Sequence, residues 1–594
     1  ASGFAQAAHC VRIMVRATSV RSWIAAAIAL GLVPGCAAAA PAATYDRYPE
    51  QPLLAGKSNT GVAFPGGGVR AYSVGLGVVR ALRELGLEDA PRYFSMVSGG
   101  NWLGNAYLYA ESPAGGEDEL VGPYTPPQDL DEKALKRDGG LVSGPSNGDS
   151  RFIWEMGTCV LGELRSDADL DNCWRSVVVE RFVLPFGIGS KALAAWDEAH
   201  ATELEAAFDR RAEVVRRRGG KVPPYPLTNM ALYGPAAVAE AQAPAYATAR
   251  YPPLVATPHA AGSTPSKHDV TFTYDDGTTQ EAPLGGLVDT WALWGNGDPY
   301  ALADAMSHAS LAYGSATTQL PTNLPKFLER RLLSWADARN AVPELRAGPD
   351  PTPFHAGDGG NNGDNAGFGA LLQRGVDKIL LVLPTMQPLN LTWVPARRPP
   401  TETDIDQYLS AYFGYTVGDE TSNVENGYLW SQCHFFEKRG FAGMAEQLVD
   451  TAKSGRGGFA RVRRAVTVAN EAYGVEAGRN VSLLIVYPHF DVKGVCSYTL
   501  KSGRCPKRYR GFPTFGLADR HAPTSKWYDR LPRPTRRAIY RDHKWRRNRG
   551  FNNFPYYSLA TQQTLNPRQV NLLANFAAWS LLEHRDAVVE FFKN

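Results

Sequence analysis

A serine, an aspartate and a glycine triplet are the residues of this sequence whose types and spacing suggest chemistry. The glycines, Gly66–Gly68, follow a short β-prone apolar run, and Ser98 follows a second such run, directly before Gly99 and Gly100. Glycine lets the backbone approach a ligand closely, and N–H groups at the start of a helix favour negative charge. The pattern therefore predicts an anion-binding loop at 66–68, suited to an oxyanion, and a nucleophile at Ser98.

Asp358 is the natural partner of that serine, although it lies far along the chain in a Gly-Asp-Gly-Gly turn, 357–360. A carboxylate held in such a turn acts as the general base for a serine hydroxyl when the two groups are within hydrogen-bond reach. The alternatives are an aspartate that only caps its own turn and the use of Asp364, a second carboxylate in the same loop. A triad with a histidine also stays open, because it requires only spatial proximity. The histidines that come into question are His355, His489 and His584.

Apolar patterns around these residues predict the elements that position them. The run 61–64 is typical of a strand, the residues after the triplet recur at helical spacing, and 92–97 and 102–109 indicate a second strand and helix. Neighbouring parallel strands end at the same edge of an α/β sheet, so the glycine loop and the serine turn should face one crevice. Uninterrupted apolar runs at 378–383 and 481–487 predict further buried strands.

Changes in composition divide the chain into a core and a large insertion. An Ala- and Pro-rich stretch, 37–57, is interpreted as a linker, and 58–110 as the first part of the core. The region 111–343 contains much Pro and Gly without a clear alternation of strands and helices, so we expect an insertion or cap over the crevice. The second part of the core, 344–594, contains the aspartate turn and ends in an amphipathic helix predicted over 566–592.

Residues 1–36 have the layout of a secretory signal rather than of a folded domain. Arginines precede an apolar run, 23–33, that is short for a membrane span of about 20 residues, and small residues follow it. We therefore predict a secreted or surface-associated protein, with an uncleaved anchor or a lipid on Cys36 as alternatives. Two cysteine pairs beyond this segment close short loops that suit disulfides in secreted proteins, and the alternative is that all of these cysteines are reduced. The pairs are Cys159 with Cys173 and Cys496 with Cys505, which leaves Cys433 unpaired.

Composition and motif spacing argue against several other classes of protein. With 44% hydrophobic and 20% charged residues the chain is neither disordered nor fibrous, and a net charge of +3 is too small to predict nucleic-acid binding. A basic stretch with aromatic residues, 526–549, is interpreted as a solvated surface, with contact to a lipid interface as its functional alternative. The glycine triplet lacks the spacing of a nucleotide-binding loop. No spacing of histidines or cysteines predicts a metal, so no cofactor is expected.

Three short motifs resemble one family, the cytosolic phospholipase A and phospholipase B group, which is related to the patatin-like acyl hydrolases. Gly-Gly-Gly-Val-Arg-Ala at 66–71 resembles its oxyanion loop, and Ser-Gly-Gly-Asn-Trp at 98–102 resembles its nucleophile turn. Asp-Gly-Gly at 358–360 resembles its aspartate turn, and the order along the chain agrees. One position departs from the pattern: Met96 replaces the first glycine of the strained Gly-x-Ser-x-Gly turn.

The resemblance implies a fold and a set of catalytic roles. The fold is α/β, with a three-layer α/β/α core of the patatin and phospholipase type and a large cap. The catalytic group is a Ser-Asp dyad without histidine, in which Ser98 attacks an ester and Asp358 accepts its proton. The N–H groups of Gly67 and Gly68 would stabilise the oxyanion.

Gly66 and Arg70 are expected to contact the substrate. The resemblance equates Arg70 with an arginine that meets the phosphate of a phospholipid, whereas its position after the loop also suits a solvent-exposed helix face. The implied activity is hydrolysis of phospholipid or lysophospholipid acyl esters at a membrane or micelle interface. Two rivals stay open: an inactive lipid-binding relative in which Met96 spoils the turn, and another esterase or galactolipase with a histidine triad.

Overall fold

The computed structural model describes most of the chain between residues 43 and 593. The described ranges are 43–111, 113–146, 171–235, 253–265, 268–273, 279–284, 286–293, 299–311, 337–338, 354–386, 388–415, 433–490, 526, 530–536, 539, 554–557 and 564–593. The predicted signal, 1–36, and the side chains of the four cysteines predicted to pair lie outside them. Cys433 is buried as a free thiol.

A mixed β-sheet forms the centre of the fold. The described strands, in chain order, are β1 (Thr44–Tyr45), β2 (Thr60–Phe64), β3 (Tyr93–Val97), β4 (Leu193–Ala195), β5 (Ala212–Val214), β6 (Tyr225–Pro235), β7 (Pro253–Ala256), β8 (Ala260–Gly262), β9 (His268–Thr273), β10 (Thr279–Leu284), β11 (Leu287–Asp289), β12 (Asp337–Ala338), β13 (Phe354–Asp358), β14 (Lys378–Val382), β15 (Gly458–Val466) and β16 (Asn480–Tyr487). The order across the main sheet is β1-β11-β8-β7-β6-β3-β2-β14-β16-β15, and β13 pairs with both β6 and β12. From β6 to β16 in this order, each strand pairs in parallel with its neighbour. The other neighbouring pairs in this order are antiparallel.

Helices connect these strands and pack around them. The described α-helices are α1 (Gly68–Glu84), α2 (Gly99–Tyr109), α3 (Glu117–Leu120), α4 (Glu132–Leu135), α5 (Ser143–Ser146), α6 (Asp171–Phe182), α7 (Glu198–Phe208), α8 (Leu302–His308), α9 (Phe368–Gln373), α10 (Gln407–Tyr412), α11 (Phe441–Lys453), α12 (Pro567–Leu582) and α13 (Arg585–Lys593). Helices α1 and α12 pack closely: a Cβ on Gly77 would lie 2.2 Å from the carbonyl oxygen of Ala574. The glycine is therefore required for the two helices to touch.

The predicted α/β fold is confirmed, together with its main strands and helices. Strands β2, β3, β14 and β16 coincide with the four apolar runs, and every residue of β2 and β3 is buried. Burial on both faces explains why these strands are continuously apolar rather than alternating. The predicted C-terminal helix is divided into α12 and α13 at residues 583–584.

Parts of the chain expected to lie outside the core contribute to the main sheet. From the region 111–343, strands β6, β7, β8 and β11 extend it on one side. In the stretch interpreted as a linker, 37–57, β1 pairs with β11, and the buried Glu50 forms a 2.6 Å ion pair with Arg374. Within the described ranges no helix is both long enough and apolar enough to span a membrane.

Candidate active site

The turns that follow β3 and β13 meet because both strands pair with the same edge of β6. Val97 of β3 pairs in parallel with Asn229, and Asp358 of β13 pairs in antiparallel with the next residue, Met230. Strand β7 occupies the other edge of β6 at these positions. The carboxyl ends of β3 and β13 therefore approach each other head-on, and the first residue beyond β3 is Ser98.

Ser98 lies on a strained turn between β3 and α2. Its φ of 49° and ψ of −122° are unusual for a residue with a side chain, and such a conformation costs about 1–3 kcal/mol. The turn is held by backbone hydrogen bonds: the Ser98 N–H donates to the carbonyl of Ala309 at 3.1 Å, and its own carbonyl accepts from Asn101 at 2.9 Å. The side chain is 7% exposed. This geometry presents a nearly buried hydroxyl at the start of a helix.

The Ser98 hydroxyl lies beside the Asp358 carboxylate, and its hydrogen-bonding interaction favours the ionised form of that carboxylate. The carboxylate also accepts from the Gly360 N–H at 2.8 Å, so the aspartate caps its own turn as well. Burial raises the pKa of Asp358 to about 6, and the two hydrogen bonds oppose that rise. The result is a carboxylate that is ionised at neutral pH and more basic than an ordinary aspartate.

The glycine loop lies directly against the serine turn. A Cβ on Gly66 would be 3.1 Å from the Cβ of Ser98, and a Cβ on Gly99 would be 2.1 Å from the carbonyl oxygen of Gly68. Gly67 and Gly68 have φ values of 140° and 53°, which glycine adopts without strain. They begin α1, where the first N–H groups have no acceptor within the helix. These donors are thus available beside Ser98 for a developing negative charge.

The side chain of Met96 fits because Gly104 of α2, which it packs against, has no side chain. Its side chain is fully buried, and a Cβ on Gly104 of α2 would lie only 2.1 Å from the Met96 sulfur. The space that the Gly-x-Ser-x-Gly pattern provides before the serine is provided here by α2 instead. The positive φ of Ser98 is present with Met96 in place, so this residue does not abolish the turn.

The loop after Asp358 is fixed by two residues whose role the sequence did not reveal. Asp364 accepts hydrogen bonds from the N–H groups of Phe368 at 3.0 Å and Gly369 at 2.6 Å, and so anchors the start of α9. Burial raises its pKa to about 6 against these hydrogen bonds. The carbonyl of Asn365 accepts from the Gly66 N–H at 2.8 Å, which ties the aspartate loop to the glycine loop.

Asn229 is a further positioning residue that pattern reasoning missed. Its amide donates to the carbonyl of Met96 at 2.9 Å and to the hydroxyl of Ser95 at 3.0 Å. It therefore ties β6 to the last residues of β3, immediately before the serine turn. The available signal was a buried amide within the apolar run of β6, where a polar side chain requires a partner.

Arg70 is buried, so the prediction of a solvent-exposed helix face is wrong. Its Nε donates to the carbonyl of Pro384 at 2.7 Å, and its Nη1 donates to the carbonyl of Tyr557. The remaining nitrogen, Nη2, lies beside the glycine loop, 3.0 Å from a Cβ built on Gly67. Burial lowers the pKa of Arg70 to about 10, and the nearby charge of Asp406 opposes this. The guanidinium joins two other loops to the glycine loop.

Of the three histidines considered as triad members, two contact residues other than Ser98 and Asp358, and the side chain of the third is not among those described. The His489 Nδ1 accepts from the Leu389 N–H at 3.1 Å, and the His584 ring stacks on Phe459 at 4.0 Å. The side chain of His355 lies outside the described part of the chain. In the ranges that are described, no group of three or more histidine, cysteine or carboxylate side chains is arranged to hold a metal ion.

Comparisons with known proteins give a weak structural likeness. Neither a protein-family model nor a curated protein sequence matches the chain. The solved structure of human GIVD cytosolic phospholipase A2 is similar, with a TM-score of 0.40 and 13% sequence identity over 90% of this chain. The same enzyme in complex with methyl gamma-linolenyl fluorophosphonate matches with a TM-score of 0.36 and 12% identity over 90% of this chain. The match spans 62% and 59% of those chains, respectively, so we infer the function from the site itself.

Proposed function

We propose that this chain is a serine acyl hydrolase that cleaves fatty-acyl esters of glycerophospholipids or lysophospholipids. The observation that carries the proposal is the placement of the Ser98 hydroxyl, on its positive-φ turn, beside the buried carboxylate of Asp358. A hydroxyl held against a carboxylate beside free helix N–H groups has the three parts that acyl transfer requires: nucleophile, base and oxyanion donors.

The first half of the reaction transfers the acyl group to the enzyme. The Ser98 Oγ forms a bond to the ester carbonyl carbon while its proton moves to Asp358. The carbonyl oxygen becomes an oxyanion, which the N–H groups of Gly67 and Gly68 stabilise. The bond to the glycerol oxygen then breaks, and that oxygen takes the proton from Asp358 and leaves as an alcohol.

The second half releases the fatty acid. A water molecule takes the place of the alcohol and gives its proton to Asp358 as its oxygen bonds to the acyl carbon. The bond to the Ser98 Oγ then breaks, and Oγ recovers the proton from Asp358. A carboxylate with a pKa of about 6 suits both halves, because it is ionised at neutral pH and still accepts a proton more readily than an ordinary aspartate.

The phospholipid class rests on the motif resemblance and on the position of Arg70. Two nitrogens of its guanidinium are used by the carbonyls of Pro384 and Tyr557, while Nη2 lies on the side of Gly67. In this proposal Nη2 contacts the phosphate of a bound phospholipid. We further propose that the chain acts at a membrane or micelle interface and that the region 111–343 serves as a cap. The segment 1–36 is proposed to direct secretion.

Two variants and a covalent probe test the dyad. Ser98→Ala and Asp358→Asn should each reduce fatty-acid release from phosphatidylcholine and lysophosphatidylcholine by about 10³-fold or more, because nucleophile and base act as a unit. A fluorophosphonate should label the wild-type protein at Ser98, identified by peptide mass spectrometry, and should not label Ser98→Ala.

Ser73→Ala provides the matched control, since Ser73 is a buried serine of α1 whose hydroxyl, among the described residues, donates only to the Val69 carbonyl, at 2.8 Å. It should retain wild-type activity and labelling. Full activity in Asp358→Asn would refute the dyad. A wild-type protein that binds lipid vesicles but neither releases acyl chains nor reacts with the probe would establish the inactive lipid-binding alternative.

A further inference from the structure

A cavity with cationic and amide side chains among its lining residues lies beside α1, well away from the serine turn. Its volume is about 920 Å³, and Arg80, Lys133, Arg137, Asn571 and Asn575 are among the residues that line it. Arg80 stands twelve residues after Gly68 on the same helix, which places it about 18 Å from the glycine loop. We call this cavity the Arg80 groove.

Arg80 is a buried cation that forms no ion pair with a carboxylate of the described residues. Its side chain is 2% exposed. The Nε donates to the carbonyl of Val121 at 3.1 Å and the Nη2 to the Asn571 Oδ1 at 3.1 Å, while Nη1 has no hydrogen-bond partner among the described residues. Burial and, to a smaller extent, the positive charge of Arg137 together lower its pKa to about 9. Such an uncompensated buried charge is costly unless a ligand completes it.

The rim of the groove adds positive charge in excess. Lys133 and Arg137 are exposed, and the Arg137 Nη2 bonds to a backbone carbonyl, that of Asp118 at 2.9 Å, rather than to a carboxylate. The acidic residues of the rim are already engaged: Glu132 pairs with Lys136 at 2.9 Å and with Arg568 at 2.8 Å.

Asp131, the other acidic residue of the rim, accepts the Ala134 N–H at 2.8 Å as the cap of α4. Among the cations that line the groove, Arg80, Lys133 and Arg137 form no ion pair with a carboxylate in the described part of the chain.

Asn571 of α12 hydrogen-bonds to the Arg80 side chain and to the Arg137 backbone. Its Oδ1 accepts from Arg80, and its Nδ2 donates to the carbonyl of Arg137 at 2.7 Å. One side chain thus fixes the floor of the groove and the backbone of its rim. The Arg80 guanidinium is therefore held in place at the floor of the groove, with the exposed side chains of Lys133 and Arg137 on the rim above it.

We propose that the Arg80 groove binds a phosphate group through Arg80, Lys133 and Arg137. A dianionic phosphate supplies several acceptor oxygens, so one group could accept hydrogen bonds from Arg80 and from both rim cations together. The phosphate is carried by a soluble phosphorylated compound or by the headgroup of an anionic lipid. The site is separate from Ser98 and needs no acyl hydrolysis.

Binding is measured on the full chain carrying Ser98→Ala, so that lipid turnover does not interfere. Thermal unfolding is followed as inorganic phosphate replaces chloride at constant ionic strength, and sedimentation is followed with phosphatidylcholine vesicles with and without phosphatidic acid. Lys133→Gln with Arg137→Gln removes two exposed charges of the groove. Arg463→Gln with Arg464→Gln removes two exposed charges from β15, which does not line the groove, and is the matched control.

The parent protein and the β15 control should show a saturable rise in Tm with phosphate, and the groove variant should bind at least about tenfold more weakly. Arg80→Gln should also lose the rise in Tm with phosphate. If Arg80→Gln does not fold, the result for Lys133→Gln with Arg137→Gln decides whether the groove binds phosphate. Sedimentation that requires phosphatidic acid and is lost in the groove variant assigns the phosphate to a lipid headgroup. A phosphate response without vesicle binding assigns it to a soluble compound. Equal affinity in the groove and control variants, or no saturable response to phosphate or to phosphatidic acid in the parent, would overturn the proposal.

Discussion

The Ser98 hydroxyl lies beside the Asp358 carboxylate, across the junction where β3 and β13 converge on one edge of β6. No imidazole is needed between the hydroxyl and the carboxylate in this arrangement. Asp358, the proposed base, is placed by strand pairing, and Ser98, the proposed nucleophile, by the strained turn that follows β3. Both groups therefore have fixed positions before substrate arrives, which favours catalysis.

The activity should depend on the ionised form of Asp358. Burial raises its pKa to about 6, so kcat/KM for a neutral acyl ester should fall about tenfold per pH unit below that value and level off above it. The measurement is a pH profile of initial rates with a substrate that does not titrate in this range. A profile that stays level down to about pH 4 would exclude Asp358 as the base.

The same carboxylate should destabilise the folded protein at neutral pH. Because burial raises the pKa of Asp358 from 3.8 to about 6, the folded state holds this proton more tightly than the unfolded chain. The free energy of unfolding therefore falls as the pH rises from about 4 to 6, by about 3 kcal/mol for this group.

Asp358→Asn should accordingly be more stable than wild type at about pH 8 and no more stable near pH 4, as measured by urea unfolding. Asp118→Asn, at a carboxylate whose side chain is 81% exposed, is the control and should show no such pH-dependent gain. Equal stability of wild type and Asp358→Asn at both pH values would contradict the proposed cost of burying the charge.

The glycines at the two ends of α1 should differ sharply in their effect on activity. Gly67→Ala places a Cβ at φ 140° beside Arg70 and Ala71, and should lower kcat by about 10²-fold or more by moving an oxyanion donor. Gly86 also has positive φ but has nothing within 4 Å of a built Cβ, so Gly86→Ala should reduce stability modestly and leave kcat unchanged. Similar kcat values in both variants would argue against an oxyanion role for the loop.

Met96 and Gly104 should be energetically coupled. Gly104→Ala alone forces a Cβ to within 2.1 Å of the Met96 sulfur and should cost about 1–3 kcal/mol. Met96→Ala provides room for that methyl group, so the double variant should be less destabilised than the sum of the two single variants by about 0.5–3 kcal/mol. Chemical unfolding of wild type, the two single variants and the double variant measures this coupling free energy. Strict additivity would show that the Met96 side chain does not occupy the space beside Gly104.

Arg70 should distinguish phospholipids from neutral esters. Arg70→Lys removes the planar group beside Gly67, and should raise KM for a phospholipid about tenfold or more while affecting a p-nitrophenyl acyl ester much less. Steady-state kinetics with both substrates separate the two effects. An equal loss with both would mean that Arg70 acts only through its bonds to the carbonyls of Pro384 and Tyr557.

The local parts of this site could be read from the sequence. Gly66–Gly68 and Ser98 each follow an apolar run, and those runs are β2 and β3 of the structure. Asp358 was recognisable from its glycine turn. Patterns of this kind are local, because the strand, the glycine turn and the helix start are encoded by adjacent residues.

Tertiary structure decided which of these parts meet and how they are supported. Strand β6 lies in a stretch with no clear alternation of strands and helices, yet it brings Ser98 and Asp358 together by pairing with both β3 and β13. The fit of Met96 against Gly104 and the burial of Arg70 likewise depend on residues distant in sequence or on another element. Pairing of distant strands and packing between elements leave no periodic trace in one sequence, because their free energy comes from contacts that form only when the whole chain folds.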